Sequence, residues 1–287
     1  MVPTARDPQS IVWIASYPRS GNTFVRLLLA NYFVARFAPM SLHSVMDFTF
    51  GEGVEFLWHQ VTQLKASERS ERTQWLARGA YMDRLRNTTP PTPFRFVKTH
   101  TVNCTRWSSP AFDFRPADRV IYVARNPLDV AVSLASFFGW PMDKTISHML
   151  SPYASVQNEV TGTWNLHVHS WLQMTGAPLL FVNYNDLVAD TAGQLVRILK
   201  FLGGKPNLDH VANIVNWTRF EKLQEQENTI GFPEAPKARK FFRAGRADQW
   251  KDNLTPEQVT YVINACSAGM DLIGAPRLSE KQYAHSY

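Results

Sequence analysis

The chain has 287 residues, 45% of them hydrophobic, and carries 30 Lys and Arg against 24 Asp and Glu, for a formal charge of +6 and a pI near 9.4. That length reads as one compact domain with a large core, and the basic excess suits a polyanionic ligand without requiring one. Only two cysteines occur, Cys104 and Cys266, far apart, which suggests neither a disulfide framework nor a thiolate metal site and fits a reducing cytoplasm.

The N-terminal stretch "MVPTARDPQS" has neither a basic start nor an apolar run, so no secretory leader is expected, and no apolar stretch of about 18 residues is present to span a membrane. The glycosylation-like triplets at Asn87, Asn103 and Asn216 read as chance matches. A strand is predicted at 11–16, then a turn, "SYPRSGNTF" (16–24), then a helix over 22–37 with apolar residues at helical spacing. Residues 39–92 form a less regular insertion of aromatic residues among polar helical stretches, closed by the breaker "NTTPPTP". Short, mostly apolar strands are predicted at 94–99, 119–124 and 178–184, in the manner of buried parallel strands. Helices are predicted at 127–138, 160–175, 190–202, 207–216 and 256–273, the last capped by Thr255 with Pro256 at its first position. Residues 228–254 read as a loop rich in Lys and Arg, and no internal repeat or domain linker is evident. Strands alternating with helices give the α/β class: a single domain over 1–287 with a central, mostly parallel sheet flanked by helices.

The first turn has the placement of a phosphate-binding loop. A strand, a tight turn with glycine and a helix start present free backbone N–H groups and the positive end of a helix dipole. Gly21 lets the backbone approach a ligand closely; Ser20, Asn22 and Thr23 add donors, and Arg19 adds a fixed positive charge. An ordinary capped turn is the alternative. The loop lacks the Gly-Lys-Ser/Thr ending that holds magnesium, and the strand 119–124 runs into Arg125 where a metal-binding acid would stand, which argues against ATP or GTP hydrolysis. No metal site is expected.

"RFVKTH" (95–100) places Lys98 and His100 two residues apart at a strand's C-terminal end, so both can face one crevice. His100 is the candidate base for an acceptor hydroxyl and Lys98 a neutraliser of charge on the transferred group, with a satisfied structural histidine as the alternative. His167 and His169, two apart on a predicted helix, lack the spacing of a zinc pair and read as structural. In "YVARNPLDVAVS" (122–133) Arg125 and Ser133 can grip a second phosphate, unless Arg125 only pairs with Asp129. "KARKFFRAGRADQWK" (237–251) sets Lys237, Arg239, Lys240, Arg243, Arg246 and Lys251 around Phe241, Phe242, Gly245 and Trp250, more like a basic flap over a ligand than a solvated face.

Together these segments resemble the sulfotransferase family that uses 3'-phosphoadenosine 5'-phosphosulfate (PAPS). "SYPRSGNTF" is similar to its 5'-phosphosulfate loop, "RFVKTH" to its Lys-Thr-His segment and "ARNPLDVAVS" to its 3'-phosphate segment. "VNYNDLVADTAGQLVRILKFLG" resembles its Tyr-Glu-Asp-Leu strand and helix, "NWTRF" its short adenine segment and "FRAGRADQWK" its Arg-Lys-Gly and Gly-Asp-Trp-Lys element. The matches fall in family order from 13 to 251. The resemblance implies that Arg19, Ser20, Gly21, Asn22 and Thr23 bind the 5'-phosphosulfate, that Arg125, Ser133, Arg243 and Gly245 bind the 3'-phosphate, and that Tyr184, Thr218 and Phe220 recognise adenine. It also implies His100 as catalytic base, with Lys98 and Arg19 assisting. Arg19 stands where the family has lysine, Phe24 where it has a stacking tryptophan, and Ala244 where it has a basic residue of the 3'-phosphate site, whose contact Arg246 is placed to replace. The family's dimer segment survives only as Lys251 and Thr255, so the oligomeric state is left open.

The resulting expectation is a metal-independent sulfotransferase of the cytoplasm that moves a sulfuryl group from PAPS to a small-molecule hydroxyl acceptor, with no nucleic-acid partner. A small-molecule kinase and a non-catalytic nucleotide binder are the alternatives. Phe48, Phe50, Trp58, Phe137, Phe138, Trp140 and Met149, from the insertion and from the loop 136–160, are the candidate lining of an apolar acceptor pocket.

Overall fold

The computed structural model describes residues 10–276 apart from positions 36, 91, 157, 237 and 238, and only the backbone of Met46. Lys237 of the basic stretch therefore lies outside the described residues. Strand β1 (Ile11–Ser16) runs through the first loop into α1 (Asn22–Val34). The insertion holds α2 (Ser44–Phe48), β2 (Phe50–Gly51), α3 (Glu55–Thr62) and α4 (Glu71–Arg86). Next come β3 (Arg95–Thr99), a short pair β4 (Thr105–Arg106) and β5 (Ser109–Pro110), then β6 (Arg119–Ala124), α5 (Pro127–Phe138) and α6 (Met142–Met149). A small hairpin, β7 (Ser155–Val156) and β8 (Glu159–Val160), precedes α7 (Trp164–Leu172), β9 (Leu179–Asn183) and α8 (Tyr184–Ala189). The chain continues through α9 (Thr191–Phe201), α10 (Leu208–Trp217), α11 (Phe220–Ile230) and α12 (Pro256–Leu272).

All six residues of β1 are buried, as the centre of a sheet covered on both faces requires. The sheet is parallel throughout, in the order β2-β3-β1-β6-β9. Alternation along β1 divides the core: Ile11, Trp13 and Ala15 join Trp164, Trp171 and Val259 on one face, while Val12 and Ile14 join Val25, Leu28 and Ile198 on the other. The expected α/β fold is thus present. Because the strands are parallel, β1, β3, β6 and β9 all end at one edge, where the first loop, His100, Arg125 and Tyr184 follow directly.

Several boundaries differ from the sequence reading, each for a local reason. The helix expected from 160 begins at Trp164, because Gly162 takes φ +60 and the Thr163 side chain caps by accepting from Leu166 N at 3.0 Å. The strand expected to 184 stops at Asn183, whose side chain accepts from Asn185 N and starts α8. Helix α11 reaches 230 and a short helical turn spans Gln249–Asp252, so 228–254 is not wholly loop. Helix α11 escaped detection because Glu227 occupies one of its two buried positions. The Thr255 cap of α12 is present, reciprocated by Gln258.

Candidate functional site

The first loop is shaped for an anion. Arg19 (φ +67) and Gly21 (φ +109) both take left-handed backbone, and a Cβ at position 21 would lie 2.7 Å from the Tyr184 ring. The first intrahelical bond of α1 is Val25 N to Gly21 O at 3.1 Å, so the amides of Asn22, Thr23 and Phe24 precede it, with no acidic residue in that turn. The Ser20 hydroxyl is fully buried and has no hydrogen-bond partner among the described residues. Such an orphan beside open amides fits a ligand with acceptor oxygens.

The Arg19 side chain crosses this space. Its Nε donates to Ser133 Oγ (3.1 Å) and its Nη2 to the Phe241 carbonyl (3.1 Å), while the guanidinium sits in the corner formed by the perpendicular rings of Phe137 (4.5 Å) and Phe241 (4.0 Å). Burial, and next the charge of Arg125, lower its pKa to about 10, which still leaves it charged at neutral pH. The planar fork explains what an arginine does here that a lysine would not: it donates to two oxygens at once from fixed directions while lying against aromatic rings.

His100 stands at the end of β3 with its ring and backbone both held. Its Nδ1 lies 2.7 Å from the Ser16 carbonyl, which can only accept, so Nδ1 carries the hydrogen and Nε2 keeps its lone pair. Its carbonyl accepts from His167 Nε2 (3.2 Å), and its amide donates to Glu159. Burial first, and the Lys98 charge second, lower the His100 pKa to about 3, leaving the ring neutral near pH 7. His167 is itself fully buried and lowered to about 3, with Tyr122 Oη 3.0 Å from its Nδ1, so this structural histidine also braces the candidate base. Lys98 Nζ pairs with Glu159 Oε1 at 3.0 Å.

A second basic corner lies across the sheet edge. Arg125 sits over the Tyr184 ring (4.3 Å), pairs with Asp129 (3.6 Å) and donates to the Arg246 carbonyl (2.9 Å); its Nε is buried without a partner among the described residues. Asp129 in turn accepts from the amides of Asp248 (2.9 Å) and Trp250 (3.2 Å) and so anchors the base of the flap. Glu227 anchors its other side, accepting from the amides of Phe241 (2.5 Å) and Phe242 (2.9 Å). Gly245 takes φ +58 over Phe220, where a Cβ would meet the ring at 2.1 Å.

These parts enclose one cavity of about 570 Å³, within the usual range for small-molecule sites. Its wall brings together Arg19, Gly21, Asn22, Thr23, Phe24, Lys98, His100, Arg125, Ser133, Tyr184, Thr218, Phe220, Arg243, Ala244 and Gly245. Ser20 lies behind the wall.

Some candidates play other parts than sequence suggested. Asn22 Nδ2 donates to the Ile14 carbonyl (2.8 Å) and braces the loop, and the Thr23 hydroxyl donates to Glu234 (2.9 Å). Arg246 turns outward to Asp252 (2.7 Å) and is not part of the cavity wall, so it does not replace the basic residue that Ala244 lacks. Of the candidate acceptor residues, Phe137 and Phe138 line the cavity. Phe48, Trp58 and Met149 do not: they are core, Phe48 stacked on Phe96 and Trp58 on Tyr81. Phe50 packs against that core, and Trp140 stacks on Phe138 outside the wall.

Glu234, Arg219 and Gln249 line the cavity and were missed, as was Glu159 behind it. Arg219 lies inside the quoted "NWTRF", whereas Glu234, which also pairs with the buried Arg26 at 2.6 Å, had no local signal. Burial pushes the Glu234 carboxyl upward, but the Arg26 charge and hydrogen bond outweigh it and hold the pKa below the usual value.

A family model described as "Sulfotransferase domain" matches residues 9–274. The chain belongs to the sulfotransferase family. Sulfotransferase 1E1 of Homo sapiens is 30% identical over 173 residues, 56% of this chain and 57% of that protein; the Mus musculus form is 29% identical over 171 residues, covering 56% of each. This sulfotransferase chain therefore aligns with little more than half the length of those relatives. Among solved structures, retinol dehydratase in a complex with retinol and PAP superposes with a TM-score of 0.62 at 22% identity, over 92% of this chain and 81% of that one. A mouse sulfotransferase complexed with PAP gives 0.61 at 20% identity, over 99% and 91%. The shared fold covers nearly all of the sulfotransferase domain. Among the described residues no helix is long and apolar enough to cross a membrane, and no group of three or more His, Cys, Asp and Glu could hold a metal ion.

Proposed function

We propose that the protein transfers the sulfuryl group of PAPS to the hydroxyl of a small acceptor with an apolar body. The observation that carries this reading is the orientation of His100: its Nδ1 is committed to Ser16, and its lone-pair nitrogen, Nε2, has no partner among the described residues on a ring that lines the cavity. The same cavity is walled by an anion-binding loop on one side and by Arg125 and the basic flap on another. Solved relatives that hold PAP together with retinol or androsterone support both the donor and the apolar alcohol.

In this reading His100 Nε2 takes the hydroxyl proton as the acceptor oxygen bonds to sulfur, and the bond from sulfur to the phosphate oxygen breaks to release adenosine 3',5'-bisphosphate. Arg19, Lys98 and the amides of Asn22, Thr23 and Phe24 stabilise charge on the sulfuryl and the leaving phosphate. A ring lowered to about 3 is a weak base in the free protein, and the negative charges of the donor raise it when they enter. Arg125, Ser133, Arg243 and Gly245 hold the 3'-phosphate, and Tyr184, Thr218, Phe220 and Phe24 surround adenine. His100→Ala should lower turnover by about 100-fold or more while leaving the Kd for adenosine 3',5'-bisphosphate within about threefold. A variant that turns over at the wild-type rate refutes His100 as the base.

A further inference from the structure

Glu159 comes from the hairpin β7–β8, 61 residues beyond Lys98 in sequence, yet it touches both candidate catalytic residues. Its Oε1 lies 3.0 Å from Lys98 Nζ and its Oε2 accepts the His100 amide; the residue is only 6% exposed. The hairpin is docked on the same segment through Val102 N to Val160 O at 2.8 Å, and Val156, paired across the hairpin with Glu159, lines the cavity. One strand thus supplies wall and the other places a carboxylate behind it.

A buried carboxylate is costly unless its charge is compensated, and here the compensation comes from a side chain that faces the ligand space. An ammonium has three donors; one is spent on Glu159, which leaves two on a group that lines the cavity. The second carboxylate oxygen fixes the backbone from which His100 projects. We propose that Glu159 is a positioning residue for sulfuryl transfer, holding the Lys98 ammonium in place and locking the Lys98–His100 segment against the hairpin that forms the cavity wall. This inference rests on the sulfotransferase reading above.

Glu159→Gln keeps an oxygen to accept the His100 amide and removes the charge that orients Lys98. Turnover of PAPS is to be measured with 4-nitrophenol, a steroid alcohol and 1-decanol as acceptors, in wild type, Glu159→Gln, Lys98→Met and the double variant. The expected result is a kcat lower by about 10- to 100-fold in Glu159→Gln, with KM for PAPS within about threefold. The double variant should be no slower than Lys98→Met, because Glu159 acts through Lys98. An unchanged kcat in Glu159→Gln, or losses that multiply in the double variant, overturns the proposal. If the melting temperature shows that Glu159→Gln does not fold, Glu159→Asp decides: a lower kcat at unchanged KM supports the proposal and wild-type kinetics overturn it. A wild-type protein with no acceptor-dependent release of adenosine 3',5'-bisphosphate refutes the underlying reading; release that Glu159→Gln leaves intact refutes only the role of Glu159.

Discussion

Acidification should destabilise this protein above the range in which carboxylates ordinarily titrate, because His100 and His167 are held neutral inside it. Both have an ordinary pKa of 6.5 that the fold lowers to about 3, burial being the main cause. Below pH 6.5 the unfolded chain binds protons that the folded chain excludes, so this stability is fully present above that pH and is lost as pH falls toward 3. Between pH 6.5 and 5.0 each histidine costs about 1.5 units at about 1.36 kcal/mol, or about 2 kcal/mol, and the pair about 4 kcal/mol. Urea unfolding at pH 7.5 and pH 5.0 measures the difference directly. His167→Gln retains one donor and one acceptor but cannot titrate, so it should lose only about half as much over the same interval. A wild-type difference below about 0.5 kcal/mol, or a variant with the full pH dependence, would refute neutral burial of the pair. The matter bears on function, since only the neutral ring can take a proton.

Two further predictions concern the flap. Gly245→Ala puts a Cβ 2.1 Å from the Phe220 ring at φ +58, and the displaced ring should raise KM for PAPS by about tenfold or more, read from initial rates. Glu227→Ala removes two charge-assisted bonds, each worth about 1.5–3 kcal/mol, so hydrogen exchange at the Phe241 and Phe242 amides should accelerate at least about tenfold while β1 amides keep wild-type rates.

The sheet and the first loop were legible because their signals are local. Short, mostly apolar runs mark β1, β3 and β6, and "SYPRSGNTF" carries its glycine and helix start within nine residues. What sequence hid was the use to which each side chain is put. Asn22 and Thr23 have the right chemistry for an anion, yet their side-chain donors go to Ile14 and Glu234, and the second of those partners lies 211 residues away. Composition could not divide Phe137 and Phe138, on the cavity, from Phe48, Trp58 and Met149, in the core, because an apolar side chain satisfies either place. Glu159, Glu227 and Glu234 belong to no motif in the sequence; only the fold brings them to Lys98, the flap and Arg26. Helix α11 was hidden for the same reason, since Glu227 takes a position where periodicity looks for an apolar residue.

The central claim is tested most directly by supplying the protein with PAPS labelled in its sulfuryl group, in parallel with ATP labelled in its terminal phosphate and magnesium, together with hydroxyl acceptors. Label should pass from PAPS to an acceptor with matching release of adenosine 3',5'-bisphosphate, and none should pass from ATP. Transfer from ATP, or tight binding of PAPS with no transfer to any acceptor, would contradict it.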